Sequence, residues 1–233
     1  MLATVDSTLS EAARILPVSG PEWILAYEQT QARGRRGRAW AMPASNFAAT
    51  LVLPVSEPPA QVALRSFVAA LALHDACVAV SGQADAFALK WPNDVLLRGG
   101  KLAGILLEST GAGCVFIGIG VNLAAAPPAD QVEPGAVAPV SLRAALGVDV
   151  TPDVFLEALA QAYARYEAQF ATYGFAPIRT AWMARAARLG EVITARTSRE
   201  EWVGTFVEVD ADGQLVLETA QGTRAIPAAD VYF

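Results

Sequence analysis

The chain has 233 residues, 54% hydrophobic and only 17% charged, which is ample apolar material for a packed core and too little charge for long disorder. Its 23 acidic and 17 basic side chains leave a formal charge of −6, which argues against a protein whose main task is to coat nucleic acid or an anionic membrane. Two cysteines and one histidine exclude a disulfide framework and leave almost nothing from which to build a zinc site or a Ser-His-Asp triad.

The N-terminal segment lacks the basic and apolar regions of a secretory leader, so the chain is expected to be soluble and cytoplasmic. Residues 1–5 read as a short strand, and Thr8 with Glu11 has capping-box spacing for a helix start. Residues 22–29 read as a strand, 30–46 as a long polar loop and 47–54 as a second strand. Pro58 and Pro59 open a long helix expected to run to about Val80 and to stop at Gly82. Four β-rich pieces follow at 87–91, 94–98, 101–110 and 114–123, with Gly99–Gly100 as a hairpin signal. The charge-free run 109–129 is broken by glycines and prolines, which fits strand and loop rather than a spanning helix. A Pro/Ala loop at 124–140 leads to a short helix near 141–146. A strong helix then starts at Thr151–Pro152 with Gly174 as its stop, and another lies near 177–187. After Leu189 five short strands in about 45 residues, with turns at Asp212–Gly213 and Gln221–Gly222, suggest a small SH3-type barrel. The expected division is a main domain over 1–188 and a β domain over 189–233.

Three constellations carry chemistry. In Arg33-Gly34-Arg35-Arg36-Gly37-Arg38, just before Trp40, four of the 17 basic side chains fall within six positions. Guanidinium forks suit phosphate and carboxylate oxygens, and the glycines permit close backbone approach and leave the loop mobile until an anion orders it. A solvated basic loop or a nucleic-acid patch has the same composition. In Lys90-Trp91-Pro92-Asn93-Asp94, followed by Lys101-Leu102-Ala103-Gly104, the proline forces a turn that leaves Asn93 and Asp94 at strand ends. Asp94 could there hold a Mg²⁺ shared with nucleotide phosphates. Lys90 and Lys101 are the only lysines in the chain, so where arginine suffices elsewhere these positions suggest a need for a compact ammonium; surface lysines on an ordinary hairpin are the alternative. Gly118-Ile119-Gly120-Val121-Asn122 places two glycines in an apolar strand, which marks either a structural bulge or the close approach of a ligand. His74, Asp75 and the cysteines read as packing.

In order and spacing these features resemble the biotin protein ligases. The matching residues are Ser7-Thr8 before the first helix, Gln29 with the arginine loop, the run from Lys90 to Glu108, the Gly118–Asn122 segment and the β-rich C-terminus. The resemblance implies an α+β fold, with a mixed sheet packed with helices and a small SH3-like β domain. It implies a two-step reaction: biotin and ATP form biotinyl-5′-AMP, and a lysine of a biotin carboxyl carrier domain then takes the biotinyl group.

Carried over motif by motif, the resemblance assigns catalysis to Lys101, Arg33 and Arg35, and biotin binding to Ser7, Thr8, Gln29, Arg33, Lys101, Gly104 and Gly118. Nucleotide binding falls to Arg35, Arg36, Trp40, Lys90, Asn93 and Asn122, with Asp94 for Mg²⁺. It also implies a homodimer, with no nucleic-acid or membrane partner. Two positions depart from the family pattern: Leu9 stands where asparagine is usual, and Ala32 where a glycine commonly precedes the first loop arginine. The sequence starts at the catalytic domain, so an N-terminal DNA-binding domain is not expected. A lipoate or octanoate ligase, or a non-catalytic biotin or adenylate sensor, is the alternative reading.

Overall fold

Alternating small and apolar residues build a seven-stranded mixed sheet from β1 (Leu2–Val5), β2 (Glu22–Gln29), β3 (Phe47–Pro54), β4 (Phe87–Lys90), β5 (Asp94–Leu97), β6 (Gly100–Ser109) and β7 (Cys114–Val121), in the order β1-β2-β3-β7-β6-β5-β4. Only β1 and β2 run parallel. The structure is a computed structural model that describes residues 1–38, 40–109, 113–128, 132, 135–197 and 199–233. Thr110, at the end of the strand expected over 101–110, and parts of the 109–129 run and the 124–140 loop lie outside these residues.

One face of the sheet is covered by α3 (Arg65–Ser81) and α5 (Pro152–Tyr173), with α6 (Phe175–Met183) beside them. Here Phe47 meets Phe155 edge-on at 5.0 Å and Phe67 meets Trp182 at 5.4 Å, so the bulk of the apolar burial lies on this side. The stretch Pro59–Ser81 is long and apolar enough to cross a membrane, yet it is mostly buried as a core element. Among the described helices, the short α1 (Thr8–Arg14) alone covers the other face, packing Leu9 and Ala12 over Ile24, Val52 and Phe116. The rest of that face is left for the arginine loop and the C-terminal segment.

Several boundaries differ from expectation. Ser7, not Thr8, caps α1 by accepting the Leu9 N–H at 3.2 Å, and Glu11 pairs with Arg14 instead of closing a capping box. Thr8 is diverted because its hydroxyl is claimed by the sheet. The long helix is interrupted at Leu64, whose N–H turns back to Gln61 in a tighter turn, giving α2 (Pro59–Ala63) and then α3. Gly82 stops it in the left-handed region as expected. The short α4 (Leu142–Leu146) is capped by Ser141. The helix near 177–187 instead spans Phe175–Met183, because residues 185–187 bond to Leu89 at the edge of the sheet.

The C-terminal strands β8 (Val192–Arg196), β9 (Glu201–Val209), β10 (Leu215–Thr219), β11 (Gly222–Ile226) and β12 (Asp230–Tyr232) form an antiparallel sheet in the order β11-β10-β9-β8-β12. It is consistent with an SH3-like domain, and its two end strands are not paired with each other. Its apolar residues Phe206, Val209 and Leu215 belong to the same buried cluster as Phe67 and Trp182. The Trp91 indole donates to the Gly213 carbonyl at 3.0 Å across this junction. Gly213 has φ +78°, and a Cβ there would lie 2.9 Å from both Leu64 Cδ2 and Phe67 Cε2. Gly213→Val is therefore expected to cost about 2–4 kcal/mol through backbone strain and overpacking together, read as a lowered denaturation midpoint. A wild-type midpoint would show that the junction yields freely.

Candidate active site

On the sparsely covered face of the main sheet lies a cavity of about 510 Å³, within the range of small-molecule sites. Its neutral corner is built where α1 meets β2 and β3. The Thr50 hydroxyl donates to the Thr8 hydroxyl at 2.8 Å, and Thr8 donates to the Gln29 side-chain carbonyl from its backbone N–H at 2.7 Å and its hydroxyl at 3.1 Å. Ser7 and Thr8 are buried. The chain of hydroxyl and amide groups is thus oriented before any ligand arrives, which suits an uncharged polar group.

The floor is made of glycines. Asp94, Gly104, Gly120 and Ala48 stand in register across four strands, and Leu106, Gly118, Thr50 and Ile24 form the next row on the same face. Each glycine opens space that a side chain from elsewhere takes. A Cβ on Gly120 would lie 2.7 Å from the Trp40 indole nitrogen, and one on Gly118 3.0 Å from Leu9. The paired glycines therefore answer to close approach rather than to a bulge. Leu9 forms an apolar wall against Gly118, and its departure from asparagine removes no cap, since Ser7 supplies that.

The charged end comes from the β4–β5 turn and β6. The Lys101 ammonium lies 2.8 Å from Asp94 Oδ1, and Lys90 lies 3.7 Å from Oδ2. Strict alternation along β6 would turn Lys101 toward the core. The β5–β6 register shifts between Val95 and Leu96, so Leu102 and Ala103 both join the core cluster and Lys101 returns to the face of Asp94. Burial pulls Lys90 below the usual lysine range, against the attraction of Asp94. Asn93 donates to the Ile105 carbonyl at 2.5 Å and accepts from Arg35 at 3.4 Å. Asn122 is buried; its amide oxygen accepts from Asn46 at 3.5 Å, and Asn46 in turn holds Ala124 and Ala125.

The arginine loop divides its charges. Arg33 is bidentate on Glu108, at 3.1 and 2.9 Å, and also donates to Ser10 at 3.0 Å. It therefore fastens the loop to β6 and α1. Arg35 reaches the Ala229 carbonyl at 3.3 Å and lies 3.6 Å from Asp230. Arg36 and Arg38 pair with Asp230 at 2.7 and 2.5 Å. Burial holds the Arg35 guanidinium below its ordinary range. Burial alone would raise the Asp230 carboxyl, but the three arginines outweigh it and hold it below the usual carboxylate range. Among the described lining residues, Arg35, Arg38, Lys90 and Lys101 face two carboxylates, Asp94 and Asp230, so this end carries an excess of positive charge that an anion would neutralise.

The sequence-derived site residues Ser7, Thr8, Gln29, Arg33, Arg35, Trp40, Lys90, Asn93, Asp94, Lys101, Gly104, Gly118 and Asn122 all line this one cavity. Arg36 is not among the lining residues and pairs with Asp230, which is. A Mg²⁺ resident on Asp94 does not fit, because the carboxylate is already flanked by two ammonium groups that would repel a dication. No cluster of three or more metal-ligating side chains occurs among the described residues. The residues that sequence reasoning missed are Thr50, Glu108, Asp230, Tyr232 and Phe233. Tyr232 lines the cavity, and the Phe233 ring lies 5.6 Å from the Lys90 ammonium.

Residues 2–122 match the biotin/lipoate A/B protein ligase family, and residues 189–233 match the biotin protein ligase C-terminal domain. The chain is 56% identical to the biotin–[acetyl-CoA-carboxylase] ligase of Paracoccus denitrificans, over 100% of this chain and 99% of that one. It is 33% identical to the Mycobacterium tuberculosis enzyme of the same name, over 89% and 77% of the two chains. A biotin protein ligase from Aquifex aeolicus, solved with biotin and ATP, shares the fold with a TM-score of 0.86 at 23% identity, over 99% and 95% of the chains. The chain belongs to the biotin/lipoate A/B protein ligase family.

Proposed function

We propose that this chain is an ATP-dependent ligase that activates biotin as biotinyl-5′-AMP and transfers it to a lysine of a biotin carboxyl carrier domain. The observation that carries this reading is the polarity of the cavity, with neutral hydrogen-bonding groups at one end, a glycine and leucine floor, and excess positive charge at the other. Biotin matches that gradient, having an uncharged ureido ring, an aliphatic tail and a carboxylate. Ser7, Thr8 and Gln29 take the ureido end, Gly104 and Gly118, with Trp40 and Leu9 packed close against them, line the stretch that takes the tail, and Lys101 meets the carboxylate.

In the first step a biotin carboxylate oxygen attacks the α-phosphorus of ATP. The bond to the bridging oxygen of the β-phosphate breaks, and pyrophosphate leaves with that electron pair. Both reactants are anions, so Lys101, Arg35 and Arg38 lower the barrier by neutralising charge as they approach. Arg36, Trp40, Lys90, Asn93 and Asn122 serve the nucleotide. Magnesium enters with the phosphates of ATP as part of the substrate. Arg33 keeps the loop seated through Glu108, and the closed loop shields the mixed anhydride from water. In the second step the carrier's lysine amine attacks the acyl carbon, AMP departs, and the amine proton passes to solvent.

The carrier of acetyl-CoA carboxylase is the proposed acceptor, and the cytoplasm the proposed location. A homodimer would form through the end of the main sheet, where β1 is an end strand. The working units are 1–188 and 189–233. Incubation with ATP, Mg²⁺, biotin and a purified carboxyl carrier domain is expected to add one biotinyl mass to the carrier. Transfer of lipoate to its own carrier, with no addition from biotin, would overturn the reading in favour of a lipoate ligase. Binding of biotin without turnover would favour a sensor.

A further inference from the structure

Asp230, at the start of β12, holds three guanidiniums of one loop. Arg36 and Arg38 lie 2.7 and 2.5 Å from its Oδ2, and Arg35 lies 3.6 Å from Oδ1. Its side chain is mostly buried, and it lines the same cavity as Lys90 and Lys101. One carboxylate cannot neutralise three arginines, and it stands where the phosphates of a nucleotide in this cavity would be drawn by the same donors. Asp230 is therefore both a rival for the loop arginines and a like charge to the phosphates.

We propose that Asp230 is a built-in counter-anion of the arginine loop, which the polyphosphate of the incoming nucleotide displaces, so that the C-terminal sheet sets phosphate affinity. In the exchange the arginines leave Asp230 for phosphate oxygens, Arg35 also giving up its hydrogen bonds to the Ala229 carbonyl, and β12 is freed from the loop. It deepens the assignment of the cavity to ATP and biotin and rests on it. A pure anchor would behave oppositely, since removing a clamp that holds the loop closed weakens phosphate binding.

The test is isothermal titration of inorganic tripolyphosphate, ATP and biotin into wild type, Asp230→Asn and Asp230→Glu. The D230N variant is expected to bind tripolyphosphate about tenfold more tightly, the size of one unfavourable charge interaction in partly screened surroundings. Biotin affinity should stay unchanged, and D230E, which restores the charge, should return toward wild type. Equal or weaker tripolyphosphate binding by D230N, with ATP and biotin still bound by wild type, would overturn the counter-anion role while leaving the site assignment intact. Absence of ATP and tripolyphosphate binding by wild type would overturn both. Should D230N fail to fold, carboxyl-carbon NMR of Asp230 in the wild-type protein decides: the resonance must move as tripolyphosphate saturates the site, and a static one would overturn the proposal.

Discussion

Replacing Lys101 by alanine is expected to slow formation of biotinyl-5′-AMP by about 10²–10³-fold while leaving the protein folded. Removing one preorganised donor from a developing anionic centre costs about 3–4 kcal/mol of barrier. The Lys101 ammonium is about two-thirds buried, faces the cavity and lies 5.6 Å from the Trp40 ring, so the proposed reactants would meet it in a partly water-excluded setting. The fold should tolerate the loss because Asp94 keeps Lys90 as a partner at 3.7 Å. The measurement is pyrophosphate release with biotin and ATP, alongside a thermal melt of the same sample. An unchanged rate would refute the catalytic assignment. A lost rate with an unchanged biotin KM would place the effect in the transition state rather than in binding.

Asp94→Ala should act on stability instead, lowering it by about 3 kcal/mol at neutral pH. The substitution removes the carboxylate nearest to buried Lys90 and leaves only the more distant Asp230 to offset its charge, and an ill-compensated buried charge is among the costliest defects a core can carry. The sign of its pH dependence follows from Lys90. Burial already depresses its pKa in the folded state, so the protonated form opposes folding below that pKa and the opposition fades as the amine deprotonates. The difference between variant and wild type should therefore shrink when urea unfolding is repeated from pH 7 toward pH 10. A difference that grows with pH would mean that Lys90 is not the source of the loss.

These two expectations rest on residues legible in the sequence, because the scarcity of lysine and the proline turn set Lys90, Asp94 and Lys101 apart by composition and local pattern alone. The strands were legible for the same local reasons, since period-two patterning and glycine turns act over a few residues. What escaped was non-local. The resemblance assigns Arg33 to catalysis and biotin binding, and nothing in its neighbourhood announces Glu108, 75 positions away, which takes its fork. Asp230 lies 194 positions from Arg36, and in sequence it is one residue among the short C-terminal strands. Thr8 looked like a cap until the Thr50 hydroxyl, on another strand, was found to engage it. The β5–β6 bulge was visible only as two adjacent apolar residues after Lys101, a pattern that packing resolves and periodicity does not.

The confinement of both lysines to one cavity has a consequence for the exterior of the molecule. Met1, with its α-amino group, is 79% exposed, and no lysine lies outside the cavity. An amine-directed acylating reagent therefore meets an outer surface of arginines, which do not acylate, and reports on Lys90 and Lys101 against the background of a single terminus. A protein that holds an activated acyl group presents, in this way, almost nothing of its own for that group to modify.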